Sequence, residues 1–366
     1  MISKMKKRIF LDYAAGRNNP NAIYKEGREA HTRLEQARAR ISKVLSVAKD
    51  EIIFTPWGTE ANVLILDINF FGARGTKWHA ITTSIEHKSA LDAFKKLEKS
   101  GVGVTCLKPD SDGFISPKQV QVALRKNTRL ISIMYANNEI GTIQPIKEIS
   151  RLLRVQTPKL KSKIIFHSDC VQAPGLLPIN MQSLGVDMAT FSAPKFGGPA
   201  GAAFAYVRRG TPVSDMRDAI PIELAEQMAN KLEETLKLSK PDKLLKLANL
   251  RDYFIAGVLK NTRASLNGSQ ENRLANNANF VFEIDAELLV LELDRYGIAA
   301  SAGAACSSRD CEEGSHVIIA LGKSKDEANR SVRFSLGDET SKPELDYVIK
   351  VLVKIINKHT NIWQMK

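Results

Sequence analysis

Short apolar runs alternate with amphipathic stretches through the first part of the chain. The runs fall at residues 8–13, 51–54, 78–82, 102–107, 130–135, 164–172, 187–192 and 203–207, and each reads as a strand bounded by turn residues. Between them, residues 22–45, 58 to about 71, 89–97, 116–124 and 146–155 repeat their apolar positions at helical spacing. Ser116 stands where a cap belongs, with Pro117 in the first turn behind it. Strand and helix in alternation predict a mostly parallel sheet with helices on both faces.

The texture changes further on. Residues 216–259 form a long charged amphipathic stretch, broken near Ser239-Lys240-Pro241. Strands follow at 277–284, 298–302 and 330–335, with helices at 286–296 and 342–358. A chain of 366 residues is too long for one small core. The expected division is a large α/β domain over residues 16–232 and a small α+β domain formed by residues 1–15 with 233–366. No internal repeat or low-complexity tract interrupts it.

Composition narrows the class of molecule. Hydrophobic residues at 43% and charged residues at 25% are ordinary for a soluble protein. The net charge of +13 invites an acidic partner. The lysines, however, are scattered through amphipathic segments without an arginine-aromatic patch, so direct binding of nucleic acid is not expected. No apolar stretch approaches the roughly 20 residues of a membrane span, and the basic start, residues 1–7, lacks a signal-peptide core. Cys106, Cys170, Cys306 and Cys311 are too irregularly spaced for a disulfide framework, which points to a reducing cytoplasm. They also lack zinc-ligand spacing, and the histidines are dispersed.

Candidate chemistry gathers where the predicted strands end. The run through Phe166 closes on Asp169 and Gln172; the run through Phe191 closes on Ser192, Lys195 and a glycine-rich turn. Neighbouring strand ends are the usual place for a site in an open α/β sheet. A lysine near glycines is often an ordinary solvated loop residue, but an acid on the adjacent strand changes its meaning. Pyridoxal phosphate needs a lysine for its Schiff base and an acid against its pyridine nitrogen. His87, beside Glu86, is either a satisfied loop residue or a ring that stacks on a flat cofactor. Asn138 and Gln172 suit the ring's phenolic oxygen, and Thr59 and Ser192 suit phosphate oxygens. Gly58-Thr59, opening a helix, offers free N–H groups to an anion.

Cys306 lies among small residues, Ser301-Ala302-Gly303-Ala304-Ala305-Cys306-Ser307-Ser308, which leave its thiol accessible. Cys106, inside an apolar strand, fits the role of a buried small hydrophobe. Cys311 is either a bystander or a redox partner of Cys306. Arg333, within a strand pattern, is either a surface salt bridge or a bidentate clamp on a substrate α-carboxylate.

Taken together, these residues resemble the cysteine desulfurases, fold-type I pyridoxal-phosphate enzymes of the aminotransferase class V superfamily. The resemblance spans nearly the whole chain. It is carried by Thr59-Glu60-Ala61-Asn62, Thr83-Ser84-Ile85-Glu86-His87, Asn137-Asn138-Glu139-Ile140-Gly141, His167-Ser168-Asp169, Gly303-Ala304-Ala305-Cys306-Ser307-Ser308 and Arg333-Phe334-Ser335-Leu336-Gly337. It implies a large, mostly parallel seven-stranded sheet sandwiched by helices, plus a small α+β domain. It implies that Lys195 holds the cofactor and moves protons, Asp169 pairs with the pyridine nitrogen and Gln172 bonds the ring oxygen. His87 would stack on the ring and act in acid–base steps, Asn138 and Arg333 would hold substrate, and Thr59 and Ser192 would hold phosphate. Cys306 would take sulfur from L-cysteine as a persulfide, leaving L-alanine. The implied assembly is a homodimer that passes sulfur to an iron–sulfur scaffold or another acceptor, for cluster assembly or tRNA thiolation.

Three departures stand beside the resemblance. Pro194 occupies the position before the lysine where the family usually has histidine, and Gly16 and Arg17 replace two threonines. After Tyr206-Val207-Arg208-Arg209 the chain goes directly to Gly210-Thr211-Pro212-Val213, shorter than the family. Thr211 then stands as the candidate for the threonine that reaches the partner's cofactor phosphate. A related lyase acting on selenocysteine or cysteine sulfinate, or a non-catalytic paralogue that binds partners, are the alternative readings.

Overall fold

One seven-stranded sheet organises the larger part of the chain. The computed structural model describes residues 9–16, 18–67, 78–159, 163–212, 218–303 and 314–364. In chain order the strands of this sheet are β1 (Ile52–Thr55), β2 (His79–Thr83), β3 (Gly103–Leu107), β4 (Thr128–Ser132), β5 (Ile165–Asp169), β6 (Met188–Ser192) and β7 (Ala203–Val207). Across the sheet they lie in the order β1-β7-β6-β5-β4-β2-β3. Pairing from β3 through to β6 is parallel, and β7 is antiparallel to both β6 and β1. Only β7 therefore runs against the rest, as a mostly parallel sheet requires.

Helices cover both faces because the strands are apolar on both. These helices are α1 (Lys25–Leu45), α2 (Gly58–Ile65), α3 (Lys88–Lys99), α4 (Pro117–Ala123), α5 (Ile146–Gln156), α6 (Met181–Leu184) and α7 (Ile222–Leu238). On one face Ala80, Leu130, Ile165, Met188 and Ala205 pack under Ala61 and Ile65 of α2 and Phe94 and Leu97 of α3. On the other, Ile81, Ile131, Phe166, Ala189 and Phe204 meet Leu34 and Ile41 of α1, Ile149 of α5 and Met228 of α7. Ser116 caps α4 reciprocally with Gln119, as the Ser-Pro start predicts.

A second, four-stranded antiparallel sheet comprises β8 (Ser265–Leu266), β9 (Asn277–Val281), β10 (Ser301–Ala302) and β11 (Ser331–Ser335), in the order β10-β11-β9-β8. With it pack α8 (Pro241–Asn261), α9 (Ala286–Asp294) and α12 (Lys342–Gln364), while α10 (His316–Ala320) and α11 (Lys325–Asn329) fill the stretch before β11. Phe254, Phe280, Phe282 and Phe334 form its aromatic centre. The break near Ser239-Lys240-Pro241 falls between α7 and α8, with Pro241 as the first residue of α8, where its missing N–H costs nothing.

Two local expectations are corrected. The strand expected over residues 8–13 does not form among residues 9–13: Leu11 is 90% exposed, and the chain turns at residues 13–15 with Gly16 N–H on the Tyr13 carbonyl. The strand expected at 298–302 is reduced to Ser301–Ala302, because Ile298 N–H closes α9 by donating to Leu293. No helix among the described residues is long and apolar enough to cross a membrane.

Candidate active site

The carboxyl ends of β2, β4, β5 and β6 converge, as the rule for open α/β sheets requires. Asp169 ends β5 and is buried. The Val171 N–H donates to its Oδ1 at 2.9 Å, and Asn62 Nδ2 of α2 donates to its Oδ2 at 2.9 Å. Both oxygens thus accept from donors fixed by the fold. The same Asn62 amide nitrogen donates to Ser89 Oγ at 3.1 Å, and Thr190 Oγ1 of β6 donates to Asn62 Oδ1 at 2.8 Å.

Ser89 leads to His87. Residue 87 caps α3, its Nδ1 accepting the Ser89 backbone N–H at 3.2 Å and lying 2.7 Å from Ser89 Oγ. A backbone N–H can only donate, so Nδ1 is the acceptor nitrogen and the proton of the neutral ring sits on Nε2. An unbroken hydrogen-bond chain therefore runs from Asp169 to His87.

At the end of β6, Ser192 precedes a single 3₁₀ turn, Ala193–Phe196, that carries Lys195 exposed on its surface. Pro194 falls early in that turn, where a missing N–H is tolerated, so this departure suits the local backbone. Gly197 follows at φ +78°, a conformation that favours glycine. Opposite lies the start of α2. A Cβ placed on Gly58 would stand 3.1 Å from Ser192 Cβ and 3.5 Å from Val171 Cγ2, so this glycine lets the start of α2 lie close against Ser192. The residue before it, Trp57, makes no side-chain cap to the first N–H groups of α2, which lie beside exposed Thr59.

The end of β4 leads into residues 137–141. Asn137 Oδ1 accepts the N–H groups of Glu139 and Ile140, its Nδ2 donates to the Ile85 carbonyl, and Gly141 closes the turn at φ +75°. Asn138 is left half-buried at the tip. Its carbonyl accepts Arg333 Nη1 of β11 at 2.8 Å, while Arg333 Nε is buried with no partner among the described residues.

Burial sets the protonation around this site. Glu86 is fully buried, and desolvation pushes its carboxyl up to about 8, despite donors from Thr83 Oγ1 and the Met134 N–H to Oε1. Its backbone carbonyl accepts His316 Nε2 at 3.0 Å. Desolvation pushes His167, two residues before Asp169, down to about 3, so it stays neutral.

Of the residues singled out from sequence, Asp169 and His87 are linked through hydrogen bonds, Ser192 lies close against Gly58 beside Thr59, and Asn138 is joined to Arg333. Gln172 is half-buried in the turn just beyond Asp169. Thr211 is elsewhere: it follows Val207, which pairs with Met188, while Ser192 pairs with Ala203 at the other end of β7. Within one chain it therefore lies at the opposite sheet end from Lys195. Cys306 and Cys311 lie outside the described residues. Cys106 is exposed on the edge strand β3 rather than buried, while Cys170 is buried. Asn62, Ser89 and Thr190 were given no role from sequence: Asn62 stood only as the last residue of the Thr59-Glu60-Ala61-Asn62 motif, and Ser89 only as the start of the helix expected over 89–97.

Known proteins share this arrangement of chain. The family model described as "Aminotransferase class-V" matches residues 4–229. The protein named "Cysteine desulfurase IscS" of Dictyoglomus turgidum is 39% identical over 389 aligned positions, covering 97% of this chain and 96% of its own. "Cysteine desulfurase, mitochondrial" of Saccharomyces cerevisiae is 35% identical, covering 95% of this chain and 71% of its own. An alignment of 389 positions against 366 residues necessarily contains gaps in this chain. Among solved structures, one titled "NIFS-LIKE PROTEIN" superimposes with a TM-score of 0.83 at 30% identity, covering 92% of this chain and 91% of the other. Another, titled "SspA in complex with cysteine", gives 0.74 at 30% identity, covering 88% and 92%.

Proposed function

The chain belongs to the aminotransferase class-V family, in its cysteine desulfurase branch, and from that premise we propose that it is an L-cysteine desulfurase. In the overall reaction the carbon–sulfur bond of L-cysteine breaks, the sulfur is bonded to the Cys306 sulfur as a persulfide, and L-alanine leaves. The observation that carries this reading is an exposed lysine just beyond β6 and a buried aspartate, both oxygens held, at the end of the adjacent parallel strand β5.

These residues fit pyridoxal phosphate. Lys195 would hold its aldehyde carbon, Asp169 would face its pyridine nitrogen, and Gln172 would bond its ring oxygen. Thr59, Ser192 and the first N–H groups of α2 would take the phosphate, for which the close approach of α2 to Ser192 at Gly58 is the supporting observation. When bound, the cofactor supplies an electron sink for the substrate's α-carbon. The chain's own residues do the rest. His87 offers its Nε2–H as a hydrogen-bond donor, and Arg333, whose Nε has no partner among the described residues, receives the substrate carboxylate beside Asn138.

A homodimer in the cytoplasm that delivers sulfur to an iron–sulfur scaffold or a tRNA-thiolation acceptor completes the proposal. The exposed apolar side chains Leu11, Tyr13 and Ile23 support a surface that a second copy covers. Thr211 is proposed for the partner's phosphate rather than its own chain's, since it lies away from Lys195.

The test is alanine formed from L-cysteine by the purified, cofactor-loaded protein with a reductant present. Alanine with equivalent sulfide, both lost in Cys306→Ser while the cofactor absorbance stays, is the expected result. A loaded protein that forms no alanine overturns the assignment.

A further inference from the structure

Asn62 and Ser89 stand between the two groups assigned to the cofactor, and the proposed function gives neither a task. Both are buried, as are Asp169 and Thr190, with Asn62 only 1% exposed. We propose that Asn62 and Ser89 are positioning residues that join Asp169 to His87 and hold His87 as its Nε2–H tautomer. The inference rests on the proposed roles of Asp169 and His87.

The hydrogen-bonding capacity of the amide closes in only one orientation. Asn62 has two amide hydrogens and one oxygen, and Thr190 Oγ1 donates to that oxygen at 2.8 Å. The nitrogen then faces Asp169 Oδ2 at 2.9 Å and Ser89 Oγ at 3.1 Å, one hydrogen for each. A flipped amide would set its oxygen against a carboxylate, which has nothing to donate.

Direction follows along the chain. Ser89 Oγ accepts from Asn62, so its single hydrogen is free for His87 Nδ1, 2.7 Å away. The Ser89 backbone N–H points at the same nitrogen. Two donors on Nδ1 exclude a proton there. Asn62 thus donates outward in both directions, and the chain ends on an acceptor at each side, Asp169 Oδ2 and His87 Nδ1. Neutral His87 therefore faces the site as an Nε2–H donor, with its lone pair turned away on Nδ1.

The experiment uses the cofactor-loaded full chain labelled with ¹⁵N-histidine. Two-bond proton–nitrogen correlation spectra distinguish the tautomers, and the His87 signal is identified by its loss in His87→Gln. The wild-type protein is expected to show His87 protonated at Nε2 alone. Ser89→Ala leaves only the longer backbone N–H bond on Nδ1, so it should give a mixture of tautomers and lower kcat by about tenfold, the worth of one hydrogen bond donated from Nε2. Its KM should stay within about twofold, because no substrate contact is removed. Ser89→Thr keeps the hydroxyl and should restore both readouts. Asn62→Asp, of the same shape, sets a carboxylate against Asp169 and should weaken cofactor retention by about tenfold or more. An unchanged tautomer and kcat in Ser89→Ala, or Ser89→Thr as impaired as Ser89→Ala, overturns the proposal. If the loaded wild-type protein makes no alanine, the desulfurase reading falls, while the tautomer spectra still decide the relay.

Discussion

Arg333 and Asn138 tie the small sheet to the large one: the guanidinium Nη1 of β11 donates to the Asn138 carbonyl at 2.8 Å. The bond uses one edge of the fork and leaves Nε buried and unpartnered. A planar carboxylate accepting from that free edge would satisfy it. Lysine offers a single point charge and cannot bond Asn138 and a substrate together. Arg333→Lys should therefore raise KM for L-cysteine by roughly ten- to a hundredfold, the worth of one charge-assisted bond. Steady-state alanine formation measures it, and an unchanged KM would remove Arg333 from the substrate site.

Gly58 lets the start of α2 approach Ser192 closely. A valine there would bring its Cβ to 3.1 Å of Ser192 Cβ before the branch methyls are counted. The fold should tolerate it, since the position is the first of a helix and half-buried. Cofactor affinity should fall by roughly ten- to a hundredfold, as expected for losing hydrogen bonds to a charged group. Titrating the apoprotein with pyridoxal phosphate and following its absorbance reads this directly. Affinity within error of wild type would place the phosphate elsewhere.

Much of this was legible from residue order, for physical reasons. Ala203–Val207 is apolar at every position and could only be a buried strand, and it is one. Ser116-Pro117 announced a helix start and supplies it. Asp169 and Lys195 stood out because strand ends on a parallel sheet share one edge. The relay was not legible: Asn62 and Ser89 lie on different helices, and only the packing of α2 beside α3 brings them to 3.1 Å. Residues 8–13 misled for the opposite reason, since an apolar alternation forms a strand only where a neighbour offers hydrogen bonds. The side of the sheet reached by Thr211 depended on the direction of β7, which the apolar run does not encode.

Gly141 is a backbone requirement rather than a packing preference. Its φ of +75° closes the turn that presents Asn138, and a Cβ there would meet Asn277 Oδ1 at 2.6 Å and Asn277 Cβ at 2.8 Å. Asn277 cannot swing away cheaply, because its Nδ2 donates to the Glu139 carbonyl and its Oδ1 accepts from Arg273. Gly141→Ala combines left-handed strain with overpacking and should cost about 3 kcal/mol of stability. Denaturant unfolding checks the figure, and a variant as stable as wild type would show that the turn relaxes.

Glu86 gives the fold a pH signature of known sign. Burial raises its carboxyl to about 8, so the folded protein holds a proton near neutrality that the unfolded chain has released. Its contribution to stability is full below the ordinary carboxylate range and is lost as pH rises to about 8. His79 and His167 work the other way. Burial lowers them to about 4 and about 3, so their contribution is present above the ordinary histidine value and is lost as pH falls toward those figures. Glu86→Gln retains an oxygen for Thr83 and the Met134 N–H while removing the titration. Relative to wild type, the variant should gain stability steadily from about pH 5 to pH 8 and hold that gain above it, with the acid-side loss from the histidines unchanged. Thermal unfolding of both proteins across pH 5 to 9 is the measurement. Parallel curves would mean that Glu86 is ionised in the folded protein.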